Sequence, residues 1–368
     1  MPSPGFPGSS TELAGVGEAL GPRFTFYSRA TGTLAANTLE SLPFAERGDA
    51  LRSTLRQAPF WLDVTDVTHS EMQFLSRAFA IHPLTMEDIQ MEETREKCEL
   101  FSNYYFITIR AFDQSGRDGA GPAFMTPVNF YLVIGRDCAI TFHSRHLPHT
   151  ANVLQRIQQL QAFGLQMTPD WVNYALIDDI TDSFMPSLRF VELEVDAIDD
   201  LVLILKENEQ ADMLRRIGHA RKRVMQLLRL LSTKADVLKT VIKRTGERLA
   251  PGSETILYLS DIQDHVITMT QNLSHYEKTL ARAHANYLAQ ISIEITVASN
   301  RTNDVVMRMT ALASVLVPLN VITGMWGMNV HVPGQDADSL GWFFGILAGM
   351  FVTAVTTFYL VRKAAQIL

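Results

Sequence analysis

From position 309 onward, the mixing of apolar and charged residues that marks the rest of the chain stops. No Lys, Arg, Asp or Glu lies between Arg308 and Asp336, and none lies from Leu340 to Val361. A helix needs about 20 residues to cross a hydrocarbon core. The pattern therefore predicts two spans, 309–330 and 340–361, joined by a loop at 331–339. Core helices of soluble proteins rarely lack a charge on every face over such a length.

Upstream, short apolar or alternating runs are broken by turn signals. Runs at 60–64, 104–109, 128–134 and 138–142 predict strands, with a hairpin loop at 114–119. Helical spacing appears at 70–79 and 83–91. Residues 23–149 thus read as an α/β domain. Longer helical patterns follow at 151–163, 170–206 and 209–243, which makes 150–252 a helical region. The next pattern begins at Ser253 and meets no Pro before Pro318 and no Gly before Gly324. It predicts a stalk, 253–308, running unbroken into the first span; a helix from 253 to 325 would be about 110 Å long. The expected class is an α+β membrane protein: an N-terminal α/β domain, a long helical stalk and two C-terminal transmembrane helices. The first 22 residues read as a flexible tail without the basic and apolar regions of a secretory signal.

Charge sets the expected orientation. Arg301 and Arg308 precede the first span, Arg362 and Lys363 follow the second in the 362–368 tail, and the loop carries Asp336 and Asp338 without a cation. By the positive-inside rule both termini face the cytoplasm, with the protein multi-pass in the cell (inner) membrane. Cys98 and Cys138 then lie in a reducing compartment and read as ordinary buried residues. A net charge of −7 with no concentrated basic face argues against a nucleic-acid partner.

Within the first span, Thr310, Ala313, Val317, Asn320 and Gly324 form a stripe smaller and more polar than the rest. An amide at the depth of Asn320 marks either a pathway or an interhelical hydrogen bond. Gly341, Gly345 and Gly349 on the second span form a small-residue ridge suited to packing. Two spans cannot enclose a water-filled path, so a pore requires several copies around an axis.

Other candidates carry less. His143, His146 and His149 could be spaced for Zn2+, but the setting reads as a surface loop. The acids Asp178, Asp179, Asp182, Glu192, Glu194, Asp196, Asp199 and Asp200 read as a solvated helix face. No Ser-His-Asp set, phosphate loop or dinucleotide fingerprint has a supporting context, so the chain does not read as an enzyme and any transport is passive, with no organic cofactor.

The segment Gly-Met-Trp-Gly-Met-Asn-Val at 324–330 ends the first of two C-terminal spans, and in that position it resembles the CorA family of divalent cation channels. The likeness extends to the Trp-Leu-Asp-Val-Thr run at 61–65 and the Ile-His-Pro-Leu-Thr-Met-Glu-Asp-Ile run at 81–89. It continues through Tyr-Leu-Ser-Asp-Ile-Gln-Asp-His at 258–265 and Ser-Asn-Arg-Thr-Asn-Asp at 299–304. The resemblance implies a funnel-shaped homopentamer in the lipid bilayer with the first spans lining the pore. Asn329, supported by Gly327 and Met328, would hold a hydrated cation at the outer mouth. Asn320, Val317, Met309, Val306 and Asn303 would face the pore, and Asp88 with Asp261, aided by Glu87, would bind the Mg2+ that closes it.

Neutral oxygens suit Mg2+, which sheds its waters reluctantly. The chain departs from the family where Val330, His331, Val332, Pro333, Gly334 and Gln335 follow Asn329, its C-terminal basic cluster is thin, and Asn320 stands where threonine is common. The implied function is Mg2+ influx, with Co2+ and Ni2+ also carried and with gating by cytosolic Mg2+. His331 keeps a Zn2+ transporter of the ZntB branch as an alternative, and a membrane-anchored signalling or scaffold protein is the alternative of another class.

Overall fold

The computed structural model describes residues 21–42, 59–113, 126–161, 163–164, 167–202, 210–248, 253–336 and 340–367. Residues 1–20 of the expected tail, the hairpin loop at 114–119 and Asp338 lie outside the described residues. The chain divides into two compact units, 1–283 and 284–368.

The first unit is built on a seven-stranded sheet in the order β2-β1-β3-β7-β6-β5-β4. The strands are β1 (Phe24–Ser28), β2 (Gly32–Ala36), β3 (Phe60–Thr65), β4 (Lys97–Leu100), β5 (Tyr104–Asp113), β6 (Thr126–Gly135) and β7 (Cys138–His143). Only the central β3 and β7 pair in parallel; the other neighbours are antiparallel. Alternation sends Phe60, Leu62 and Val64 of β3 and Ile140 and Phe142 of β7 to one face. There they meet Met72 and Leu75 of α1 (His69–Phe79) and Ile89 of α2 (Pro83–Gln90). Each such side chain, fully buried, contributes about 1.5–3 kcal/mol. Thr68 and Glu71 form a capping box that starts α1.

Helices α3 (Pro148–Gln161), α4 (Pro169–Asp182), α5 (Met185–Val202), α6 (Gln210–Leu231) and α7 (Lys234–Arg248) complete this unit together with the start of α8 (Glu254–Trp326). The opposite sheet face meets α4, which touches β3, β6 and β7 and is buried over most of its length. That face carries a polar chain. The Trp61 indole donates to Thr141, whose hydroxyl bonds the buried Asp63, and Asp63 lies 3.0 Å from His143 Nε2.

Two predicted helices are each interrupted. The 170–206 pattern breaks at Ser183 and Phe184, because Pro186 has no N–H for the turn before it and is tolerated only in the first turn of α5. Phe184 is fully buried there, 4.7 Å from the Phe112 ring. The 209–243 pattern breaks at Ser232 and Thr233, where Lys234 turns inward, fully buried. Its ammonium bonds Glu96 and the Arg110 carbonyl, and Thr233 also bonds Glu96. Burial lowers the Lys234 pKa despite the Glu96 carboxylate.

The expected surface loop between His143 and His149 is confined to 144–147, and the two end histidines depart from it. His143 and His149 are buried. His149 Nδ1 pairs with Asp179 at 2.6 Å; only His146 is exposed. Their imidazoles are spent on separate carboxylates, and among the described residues of one chain no group of three or more His, Cys, Asp or Glu side chains is gathered as a metal site. Nor is the acidic series uniformly solvated, since Asp178 and Asp179 are partly buried, Asp178 bonding Arg156 at 2.6 Å. Burial, with Asp178 and Asp179 nearby, raises the pKa of Asp182. The two cysteines are half-buried and free.

On α8, Leu259, Ile262, Val266, Met269, Leu273, Tyr276, Leu280 and Ala283 are buried at alternating three- and four-residue intervals, the spacing of a coiled-coil seam. Arg221 to Glu277 and Arg282 to Asp199, both at 3.1 Å, flank it. In the second unit, α8 continues to Trp326 and α9 (Gly341–Ile367) follows. Both helices are long and apolar enough to cross a membrane.

Replacing Lys234 with Met strands the Glu96 carboxylate, and thermal unfolding of the detergent-purified protein should show a loss of about 3–5 kcal/mol. Adding Glu96→Gln should recover most of it. A second expectation concerns pH. His143 Nδ1 lies 2.6 Å from the Arg145 carbonyl and Nε2 faces Asp63, so both ring N–H groups donate. Burial opposes the charge, but Asp63 outweighs it and the pKa is raised. The imidazolium therefore stabilises the fold fully below about pH 6.5 and ever less as pH rises through the elevated folded value. His143→Gln should flatten that decline in melting temperature; an unchanged slope would mean that the pair does not titrate with folding.

Candidate functional site

The 309–326 stretch of α8 has two faces. Ala311, Ser314, Val315, Pro318, Leu319 and Ile322 are partly covered, whereas Thr310, Ala313, Val317, Asn320 and Gly324 are exposed. Ile322 and Trp326 border a groove with Gly341, Gly345 and Gly349 of α9. The candidate pathway stripe is thus part of the bare surface, which also includes Leu312, Leu316 and Val321. Asn303, Val306 and Met309 are bare as well, with Val306 56% and Met309 64% exposed. Gly345 and Gly349 have no atom within 4 Å of where a Cβ would stand. Among the described residues, then, Gly345 and Gly349 have no close neighbour on that side.

Pro318 has no N–H to offer the Ser314 carbonyl. The helix passes through it, and hydroxyls bond back to neighbouring carbonyls, Ser314 to Thr310 at 2.8 Å and Thr323 to Asn320 at 3.1 Å. The Gly327 N–H caps the end on the carbonyls of Thr323 at 3.0 Å and Gly324 at 3.2 Å. A Cβ at Gly327 would lie 3.2 Å from the Thr323 oxygen, so the turn out of the helix favours glycine. Met328 and Asn329 follow, both exposed. They sit at the negative end of the α8 dipole, where unpaired carbonyls favour a cation. In the loop beyond, His331 lies 3.4 Å from Asp336.

The candidate regulatory acids sit on rigid elements of the first unit. Helix α2 starts with the His82 imidazole accepting from the Leu84 N–H at 3.2 Å and with Pro83 in its first turn. The Tyr104 hydroxyl accepts from the His82 N–H at 2.9 Å and bonds Thr85 at 2.8 Å, tying α2 to β5. Glu87 is exposed and Asp88 half-buried.

Lys97 Nζ lies 2.7 Å from Asp88 and 3.0 Å from Glu99. Burial opposes the Lys97 charge, but the two carboxylates raise its pKa. Asp261, on the exposed side of α8, has His265 at 3.9 Å. Within one chain, then, Asp88 and Asp261 are not brought together; each has its own cationic or imidazole neighbour. Lys97, the partner of Asp88, escaped the sequence reading. The alternation of charges in Glu96, Lys97 and Glu99 was the only available hint.

Comparison with known proteins bears on this arrangement. The family model described as CorA-like Mg2+ transporter protein matches residues 56–363. A Schizosaccharomyces pombe protein, provisionally described as a metal ion transporter, is 50% identical over 311 residues, covering 82% of this chain and 50% of its own length. "Magnesium transporter ALR1" of Saccharomyces cerevisiae is 39% identical over 384 residues, covering 92% of this chain and 44% of that relative. The chain therefore spans about half the length of these relatives. In fold it resembles the solved CorA magnesium transporter of Methanocaldococcus jannaschii, with a TM-score of 0.59 and 18% identity over 92% of this chain and 97% of that one. The chain belongs to the CorA-like Mg2+ transporter protein family.

Proposed function

We propose that this chain assembles as a homopentamer in a membrane and conducts hydrated divalent cations, Mg2+ foremost, inward through a pore lined by the bare face of α8. The observation that carries the reading is the uncovered stripe of Val306, Met309, Val317 and Asn320 leading to Gly327, Met328 and Asn329 at the helix end. Charge-free bare faces suit an assembly in which copies of the same helix surround an axis. The Saccharomyces cerevisiae relative, 39% identical, is described as a magnesium transporter, which supports the ion. The Asn329 amide offers a neutral oxygen to a hydration shell, Gly327 and Met328 shape its approach, and Asn303 and Asn320 offer further amides. Val306, Met309 and Val317 form apolar rings that gate by dewetting. Both termini face the cytoplasm.

Regulation follows from Asp88, Asp261 and Glu87. Carboxylates of neighbouring copies repel until a cation bridges them, so bound Mg2+ favours the closed arrangement. Lys97 tempers Asp88 within each copy and has to share it with the ion.

Asn329→Ala should abolish Mg2+ flux in proteoliposomes while leaving assembly intact; normal flux would refute the selectivity assignment. Uptake of Mg2+, Co2+, Ni2+ and Zn2+ measured in one preparation decides the ion, and Zn2+ flux without Mg2+ flux would replace this reading. Asp88→Asn with Asp261→Asn should keep the pathway open at internal Mg2+ concentrations that silence the unaltered protein. If closure is unchanged, those acids do not hold the regulatory ion.

A further inference from the structure

The segment that follows Asn329 is a tight turn pinned from two sides. The Gln335 N–H donates to the Val332 carbonyl at 3.1 Å, and the Gln335 side-chain oxygen accepts from the Val332 N–H at 3.2 Å. Pro333 and Gly334 occupy the middle of this turn. Gly334 has φ +92°, the left-handed value that a type II turn requires after proline. Trp342, in the first turn of α9, lies flat against it. A Cβ on Gly334 would stand 2.7 Å from the indole Cδ1 and closer still to Cγ and Cδ2. On the other side, the Trp326 indole N–H donates to the Pro333 carbonyl at 3.4 Å.

The Trp326 bond closes residues 326–333 into a ring with Asn329 near its middle. Asn329 itself has no hydrogen-bond partner among the described residues, so its placement falls to the backbone on either side. Selection through a hydration shell depends on where the amide oxygens stand, and a site left loose by about 1 Å loses its discrimination. Tryptophan is well suited to hold such a loop, being large, rigid and at ease at the membrane surface. The two indoles also border the same groove of about 640 Å3 between α8 and α9, so the loop is referred to both helices.

We propose that Trp326, Gly334 and Trp342 form a clamp that positions the Gly-Met-Asn segment for the hydrated cation. They are positioning residues and touch no ion themselves. The clamp explains why this chain has Val-Pro-Gly-Gln after Asn329: the turn needs proline and then glycine, and the indole needs a residue without a Cβ.

The inference rests on Asn329 as the selecting residue, and the test separates the two. Mg2+ and Co2+ flux are measured against concentration in proteoliposomes holding the full chain, with oligomer mass checked for each variant. Trp342→Ala and Gly334→Ala should each raise the half-saturating Mg2+ concentration about tenfold, equivalent to about 1.4 kcal/mol. The Mg2+ to Co2+ preference should shrink, while maximum flux per assembled oligomer persists. Trp342→Phe, which keeps a ring over Gly334, should restore most of the affinity. Wild-type half-saturation in both Trp342→Ala and Gly334→Ala overturns the clamp, as does a loss of maximum flux alone or a Phe variant as impaired as Ala. Should Asn329→Ala conduct normally while the clamp variants shift, the clamp stands and the Asn329 reading falls.

Discussion

A backbone in hydrocarbon has no water to satisfy its N–H and C=O groups, and this chain meets that constraint with two helices, α8 and α9, whose backbone hydrogen bonds are internal apart from the one that Pro318 of α8 cannot donate. Helix α8 serves two solvents. Its first part presents a seam of Leu259, Ile262, Val266 and Met269 to the first unit, burying them to 3% exposure or less. Its last part carries no charge from Met309 to Trp326. Helical continuity is what allows the sheet-based unit and the membrane segment to share an element without a linker.

The end of that helix is where its chemistry concentrates. Unpaired carbonyls and the helix dipole make the C-terminus mildly negative, Gly327 turns the chain sharply, and Asn329 adds a neutral oxygen. The first unit treats its acids differently. Asp88 pairs with Lys97, Asp178 with Arg156 and Asp179 with the His149 imidazole, so each of these carboxylates has a partner within the chain.

The buried ionic contacts also organise the fold. Glu96 collects Thr233, Lys234 and the Arg110 N–H around one carboxylate, joining β5 to the α6–α7 corner. Asp63 does the same for Thr141 and His143 across the parallel pair of β3 and β7. A buried pair of this kind adds little net stability, but removing one partner is costly, so each rejects alternative packings.

How much of this was readable beforehand differs by element, for a physical reason. Strands β3, β5, β6 and β7 were legible because their apolar runs are local, and so were both apolar helices, since bilayer solvation acts on composition over about 20 residues. The helix end at Gly327 was legible because it follows directly on such a run. Local pattern could not show that 170–206 and 209–243 each break, that β4 joins the sheet edge, or that His143 and His149 lie inside. Those outcomes depend on Phe184, Lys234 and the histidines finding Phe112, Glu96, Asp63 and Asp179, partners tens of residues away whose proximity arises only once the sheet has closed. The same holds for the loop clamp. Pro333 and Gly334 announce a turn, but only the folded loop places the Trp342 indole on the glycine. Sequence by itself determined which stretches are long and apolar enough to cross a membrane, because that preference is carried by each residue separately; which charges meet, and which helix ends turn, was decided by tertiary structure, because those energies belong to pairs.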